Sequence, residues 1–478
     1  MSIKKNIFYN SILTTSSFLF PLLTYPYISR VLGVSNIGAV NFIDSVINYF
    51  LLFSMMGIAL TGIRETAINK NNQEKLNRAF SSLFFLNTVF TIIVIAILFC
   101  AIIFVPKLWE YKELMYVGAF KLLFNLFLIE WFFRGIEKFK YITITTLFIK
   151  IVYVILVFSF VKKASDYNVY YGLTVGIVVV NSFFNWFYSK RFVKLKYKYV
   201  TIKPYLRSFF NYGLYGLLTS MYTSFNVVYL GFISGDTEVG FYTTATKLYG
   251  ILIALFSSFT AVMLPTMSSL VSENNTAEMN RLIDLSFEIL WIFCLPVIII
   301  AEFYAPQIIL LLSGPGYEGA ITPMRILIPL LFIIGLEQIY IIQILMPLKK
   351  DKEVLINSSI GAFVGIILNI ILVKYYGSVG SSIVWVLSEL SILTMAIYFV
   401  NKTKLFVFKF NLFFKYSVAS IPYIVICLLV WNINNAILQI CILVTLSLVY
   451  FYCYHMLFNK TIILVSLYKG FRNSIIRK

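Results

Sequence analysis

The sequence predicts an all-α polytopic membrane protein of about fourteen transmembrane helices: two parallel six-helix lobes around a central cavity, plus a C-terminal helix pair. Three observations carry that expectation. Of 478 residues, 60% are hydrophobic and only 12% charged, with a mean hydropathy of +0.88, whereas soluble domains carry about 25% charged residues. Apolar runs of about 20 residues, the length that crosses a bilayer core, recur along the whole chain. The Lys and Arg residues fall into the short gaps between those runs, and they favour alternate gaps.

The runs lie near 9–32, 39–62, 80–105, 114–133, 141–161, 169–189, 208–232, 240–266, 284–312, 322–347, 354–375, 379–400, 411–431 and 435–458. The first is interrupted by Thr14, Thr15, Ser16, Ser17, Thr24 and Tyr25, which have little use against lipid, so this span is expected to line a wet cavity. No gap exceeds about twenty residues, which leaves no room for a soluble domain or a large external loop. The longest basic gap, Lys190 to Arg207, separates the sixth span from the seventh and suits a linker between lobes, anchored on anionic lipid.

Charge sets the orientation. With the N-terminus inside, cytoplasmic segments hold 28 of the 39 Lys and Arg residues, external loops hold 6, and 5 lie within spans. Both termini are therefore expected on the cytoplasmic side. The net charge of +19 reflects this bias, so no nucleic-acid partner is expected, and no cleavable signal peptide is read at the N-terminus. Cys100, Cys294, Cys427, Cys441 and Cys453 are scattered singly, without metal-ligand or disulfide spacing. His455 stands alone and no phosphate-binding glycine loop is present, so no catalytic residue, metal or cofactor is expected and the chain is not read as an enzyme.

The turn Gly33-Val-Ser-Asn-Ile-Gly38 and the turn Gly235-Asp-Thr-Glu-Val-Gly240 align at an offset of 202 residues, which carries spans one to six onto seven to twelve. An even helix number per repeat makes the repeats parallel, with a substrate path between them. The expected divisions are an N-lobe at 1–195, a C-lobe at 196–405, and an accessory helix pair with a basic tail at 406–478.

Ionisable groups at membrane depth are functional candidates by default. The basic ones are Arg30, Lys121, Lys150 and Lys247; the acidic ones are Asp44, Glu130, Glu302, Glu337 and Glu389. Glu130 and Arg134 are four apart and should pair along one helix face. Arg30 and Asp44 flank one short turn and could bridge it. Asp44, Glu337 and Glu389 are candidates to bind a coupling Na⁺ or H⁺, although the two glutamates could instead pair with Lys121 or Lys150.

Four strings point further: Pro26-Tyr-Ile-Ser-Arg30-Val-Leu-Gly33 followed by Gly38; Gly57-Ile with Gly62-Ile-Arg64-Glu65-Thr-Ala67; Val239-Gly240-Phe-Tyr242-Thr-Thr-Ala245 running to Leu264-Pro265-Thr-Met-Ser268; and Gly377-Ser-Val-Gly380-Ser-Ser-Ile383 running to Ser388-Glu389. Their order and spacing resemble the polysaccharide-transporter branch, the O-antigen or Wzx-type flippases, of the multidrug/oligosaccharidyl-lipid/polysaccharide (MOP) exporter superfamily. The resemblance implies a bacterial inner-membrane carrier that turns undecaprenyl-diphosphate-linked oligosaccharide from one leaflet to the other. Polysaccharide polymerase and chain-length machinery are possible partners. A diphosphate needs cations, so Arg30 and Lys247 are expected to face each other across the inter-lobe cavity, with Lys121 and Lys150 as further substrate-binding candidates. A lipid II flippase and a cation-coupled multidrug exporter are the close alternatives. Basic residues at membrane depth favour an anionic cargo over a cationic drug. A membrane-embedded polymerase or acyltransferase is the alternative from a different class.

Overall fold

The computed structural model describes residues 3–196, 198, 200–403, 410–433 and 435–457, and they are helical almost throughout, with no strand among them. The expected basic tail after residue 458 lies outside the described residues. Ten described helices are long and apolar enough to cross a membrane, eleven if the bent pair α9 (Lys203–Thr223) and α10 (Phe225–Ile233) counts as one span. That measure does not reach the fourteen expected; in part this is because two of the ten cover two expected spans each, joined across a turn at a glycine.

α1 (Ile3–Met55) is the first of these. It holds 53 residues, and at about 1.5 Å per residue a straight helix of that length would far exceed a ~30 Å bilayer core. The chain turns at Gly33, whose φ of 76° lies in the left-handed region open to glycine. α2 (Ile58–Asn69) then leads to α3 (Gln73–Phe104), which Asn72 caps by accepting a hydrogen bond from the Lys75 amide. A short α4 (Pro106–Glu110) precedes α5 (Lys112–Leu128), α6 (Glu130–Gly135), α7 (Phe139–Phe160) and α8 (Tyr167–Ser189). The expected Glu130–Arg134 pair forms at 3.4 Å.

After α9 and α10, α11 (Asp236–Ser272) begins at Gly235, again with a positive φ of 85°. α12 (Thr276–Ser313) is capped by Asn275 and broken near Tyr304. α13 (Ile321–Leu327) and α14 (Leu330–Gln338) are followed by a π-helical segment, Ile339–Leu345. α15 (Asp351–Leu368) passes through a second π segment, Asn369–Val373, into α16 (Lys374–Thr403), which turns at Gly377 with a φ of 50°. α17 (Phe410–Val430) and α18 (Ala436–Leu457) pack on α12, where the Tyr304 hydroxyl donates to the Cys427 carbonyl at 2.7 Å.

Lipid offers no hydrophobic gain for joining helices, so close backbone approach and interhelical hydrogen bonds must hold the bundle. The closest approach joins α1 to α11. A Cβ on Gly38 would stand 1.7 Å from the Asp236 carbonyl oxygen, and one on Gly240 would stand 2.3 Å from that of Val34. Each glycine therefore receives the backbone of the other turn. Gly33 and Gly235, Gly38 and Gly240 are all related by the 202-residue offset, and the first pair shares its unusual backbone conformation.

Candidate functional site: a cationic cavity between the two repeats

Beneath these glycine turns lies a cavity of about 360 Å³. Its first wall is α1, which presents Ser17, Pro21, Tyr25, Asn41, Asp44 and Ser45. The opposite wall is α11, with Thr243, Thr246, Lys247 and Gly250. The first span is polar here for the reason its sequence suggests: its hydroxyls face a cavity as well as neighbouring helices.

The ionisable groups divide into three arrangements. Asp44 does not bridge to Arg30. Lys121, on α5, approaches Asp44 at 2.6 Å and also donates to Asn48 at 2.9 Å. Asn48 in turn donates to Asp44 at 3.1 Å. The pair is largely shielded, at 13% exposure for Lys121 and 27% for Asp44, so Asp44 is neutralised within its own repeat. Lys150, on α7, reaches across to α1 and donates to Ser16 and Ser17, each at 3.2 Å. Ser17 lines the cavity, so Lys150 stands one hydroxyl behind its wall. Lys247 lies directly in the wall, with its ammonium 5.8 Å from the centre of the Tyr25 ring.

Arg30 stands elsewhere. It is not among the cavity residues and does not face Lys247. Its guanidinium donates to the carbonyls of Leu311 at 2.6 Å and Leu310 at 3.2 Å, and to that of Pro26 within its own helix. The carbonyls of the last turn of α12 carry the negative end of its dipole, which draws the cation there, and the Leu310 carbonyl also accepts from the Gly314 amide at 2.9 Å. Arg30 thus ties the first repeat to the second.

Further bonds close the same end. The Tyr317 hydroxyl donates to the Ser29 carbonyl at 3.0 Å, and Ser29 Oγ donates to the Leu312 carbonyl at 3.3 Å. Tyr25 and Thr244 share a hydroxyl bond at 2.6 Å, and Asn41 donates to Thr243 at 3.1 Å. The Tyr111 hydroxyl donates to Asp236. The cavity is sealed at its Gly33 end.

Glu337 and Glu389 lie apart from this cavity, inside the second repeat. The two side chains neighbour each other, and Trp385 Nε1 donates to Glu389 at 2.9 Å. Neither pairs with Lys121 or Lys150, which are engaged in the first repeat. Tyr215, Tyr222 and Tyr249 lie around the two carboxyls. Sequence reasoning missed Asn48, Asn41 and Thr243 because each matters through a partner on another helix. The alignment that set Gly38 on Gly240 also sets Asn41 on Thr243, and that was the available signal.

Residues 3–271 match the family described as polysaccharide biosynthesis protein. A protein of Escherichia coli K12 named as an O-antigen transporter is 26% identical over 422 residues, covering 85% of this chain and 99% of that relative. One from Shigella dysenteriae with the same name is 24% identical over 410 residues, covering 81% and 98%. Among solved structures, the lipid II flippase MurJ in an inward closed conformation superposes with a TM-score of 0.72 at 16% identity, covering 93% of this chain and 98% of that one. A multidrug resistance MATE family transporter of the MOP superfamily, inward-facing, gives 0.61 at 15% identity, covering 80% and 92%. These likenesses show that the chain shares the fold of these structures.

Proposed function

The chain belongs to the polysaccharide biosynthesis protein family, and from that premise we propose that it is a flippase for lipid-linked oligosaccharides, working by alternating access between its two repeats. The observation that carries this reading is the cationic cavity between the repeats. With Asp44 held by Lys121, the charges left at the cavity are Lys247 in the wall and Lys150 behind Ser17. That excess of positive charge suits a diphosphate and opposes a cationic drug. In this reading Lys247 binds the phosphate oxygens directly, while Lys150 polarises the Ser16 and Ser17 hydroxyls towards them. The headgroup is undecaprenyl diphosphate in the reading the sequence motifs support. A lipid II flippase would share that chemistry, but the O-antigen transporters are the relatives by sequence.

Orientation follows from the charge bias. With both termini cytoplasmic, in a bacterial inner membrane, the sealed Gly33 end is external. Reporter fusions after Asn36 and Asp236 should then read as external, and fusions after Asn72 and Asn274 as cytoplasmic. Inversion at two of these sites would overturn the assignment.

The functional test is direct. Deleting the gene should leave lipid-linked repeat units on the inner leaflet and remove surface polysaccharide. Expression of Lys247→Ala should restore under about a tenth of surface polysaccharide at equal protein level, since a charge-assisted hydrogen bond is worth about 1.5–3 kcal/mol, tenfold or more. Unchanged surface glycan with raised sensitivity to cationic dyes would instead establish the drug-exporter reading.

A further inference from the structure

We propose that the strap joining α8 to α9, residues 190–202, is a built site for anionic phospholipid headgroups, mounted on the first repeat. Residues 190–207 hold seven Lys and Arg residues and no Asp or Glu. Positive charge alone would describe any loop that follows the positive-inside rule. This strap differs because its backbone is fastened to α3.

The fastening is done by side chains. Asn77 Oδ1 accepts from the Lys194 amide at 2.8 Å, Ser81 Oγ from the Lys196 amide at 2.9 Å, and Ser82 Oγ from the Thr201 amide at 3.0 Å. Gln73 donates to the Phe192 carbonyl at 2.7 Å and to Asn77 Oδ1 at 3.2 Å, which orients Asn77. All three acceptor residues are buried. Polar groups placed there need partners, and the strap amides supply them.

Over residues 193–196 the fastened backbone alternates its side chains between inside and outside. Val193 is 5% exposed and belongs to the cluster of Leu76, Phe80 and Phe133; Leu195 is half-buried against the same cluster. Lys194, Lys196 and Lys198 are exposed. The bonded amides of Lys194 and Lys196 fix where these two side chains leave the backbone, so they form a comb held on α3. At its start the Lys190 ammonium lies 4.8 Å from the Phe187 ring centre, and the Arg191 guanidinium 5.3 Å from that of Tyr188. Cations over aromatic rings at a span end are placed where headgroups begin.

The strap is also the covalent joint between the repeats. It is fastened as far as Thr201, and α9 starts at Lys203. A headgroup held on the comb therefore lies on the segment that joins the two repeats.

The test uses the full-length protein in nanodiscs, titrated with fluorescent phosphatidylglycerol. Lys194→Gln/Lys196→Gln/Lys198→Gln should weaken binding about tenfold and leave phosphatidylcholine binding unchanged. Asn77→Ala/Ser81→Ala keeps every charge and unfastens the comb, and it should weaken binding about threefold. Parental binding by that variant would reduce the strap to a generic anchor and overturn the proposal. Should it fail to fold, three lysines appended after Lys478 to the triple Gln variant restore the net charge. Recovered binding there overturns the proposal, and continued weak binding supports it. Equal competition by polyglutamate, matched for charge, would also overturn it, because a headgroup site discriminates between the two.

Discussion

Asn41 and Thr243 hydrogen-bond to each other at 3.1 Å although they stand 202 positions apart, the offset that also relates Gly33 to Gly235 and Gly38 to Gly240. Equivalent residues of two repeats meet in this way only where the repeats are related by an axis running between them. Any motion that rocks one repeat against the other around the cavity must part this pair to open the Gly33 end.

Trapping the pair should therefore stop the cycle. In a background lacking the five native cysteines, Asn41→Cys/Thr243→Cys should export normally when reduced and fall at least tenfold when oxidised, with reductant restoring export. Surface polysaccharide measured under both conditions decides the matter. Full export by the cross-linked protein would mean that this end does not open.

Gly38→Ala attacks the same seal sterically. Its Cβ would lie 1.7 Å from the Asp236 carbonyl oxygen, with backbone on both sides. Overpacking of this kind costs about 1–3 kcal/mol, and separating the repeats relieves it. The expected result is faster maleimide labelling of a cysteine at Thr243. An unchanged labelling rate would show that the turns yield without parting.

Arg30 distinguishes a latch from a ligand. As the clasp on the Leu310 and Leu311 carbonyls, Arg30→Ala should speed labelling at Thr243, and Arg30→Lys should do so less, because lysine keeps the charge but loses the fork that spans two carbonyls. If Arg30 binds diphosphate instead, substrate affinity should fall while labelling stays constant. Measuring both on one preparation separates the roles.

How much of this was legible before the structure follows from where each interaction lives. Hydropathy and charge report local runs, so the membrane class, the wet first span and the basic strap could all be read from sequence. The 202-residue offset was legible because glycine is required where backbone touches backbone, and Gly38 and Gly240 mark that contact. The partners of Asp44 and Arg30 were not. Asp44 takes Lys121, 77 positions away, and Arg30 takes carbonyls some 280 positions away. Carbonyl acceptors are present at every residue and leave no trace in composition. Two of the span boundaries read from sequence, 32/39 and 375/379, coincide with the turns at Gly33 and Gly377, where glycine again marks the break.

The buried glutamates give the last prediction. Glu389 is 3% exposed and neighbours Glu337, and neither forms a salt bridge among the described residues. Two neighbouring carboxylates repel each other, which makes the pair a candidate carrier of a coupling proton. Glu337 also lies two residues before the Ile339–Leu345 π segment, an irregularity of the kind found at functional positions. If a proton binds there in one state and leaves in the other, the conformation would be coupled to the proton gradient. Glu337→Gln/Glu389→Gln preserves the shape and a hydrogen bond but cannot release the proton. Export by this variant in proteoliposomes should become indifferent to an imposed pH gradient and fall to the rate that the substrate gradient alone supports. Binding of lipid-linked oligosaccharide should stay within about twofold of the parent, because the pair stands outside the cavity and a change under 1 kcal/mol is expected for a remote site. A sodium-coupled carrier would behave differently: parental export would follow a sodium gradient imposed at constant pH. That result would assign the pair to metal binding and remove the proton from the mechanism.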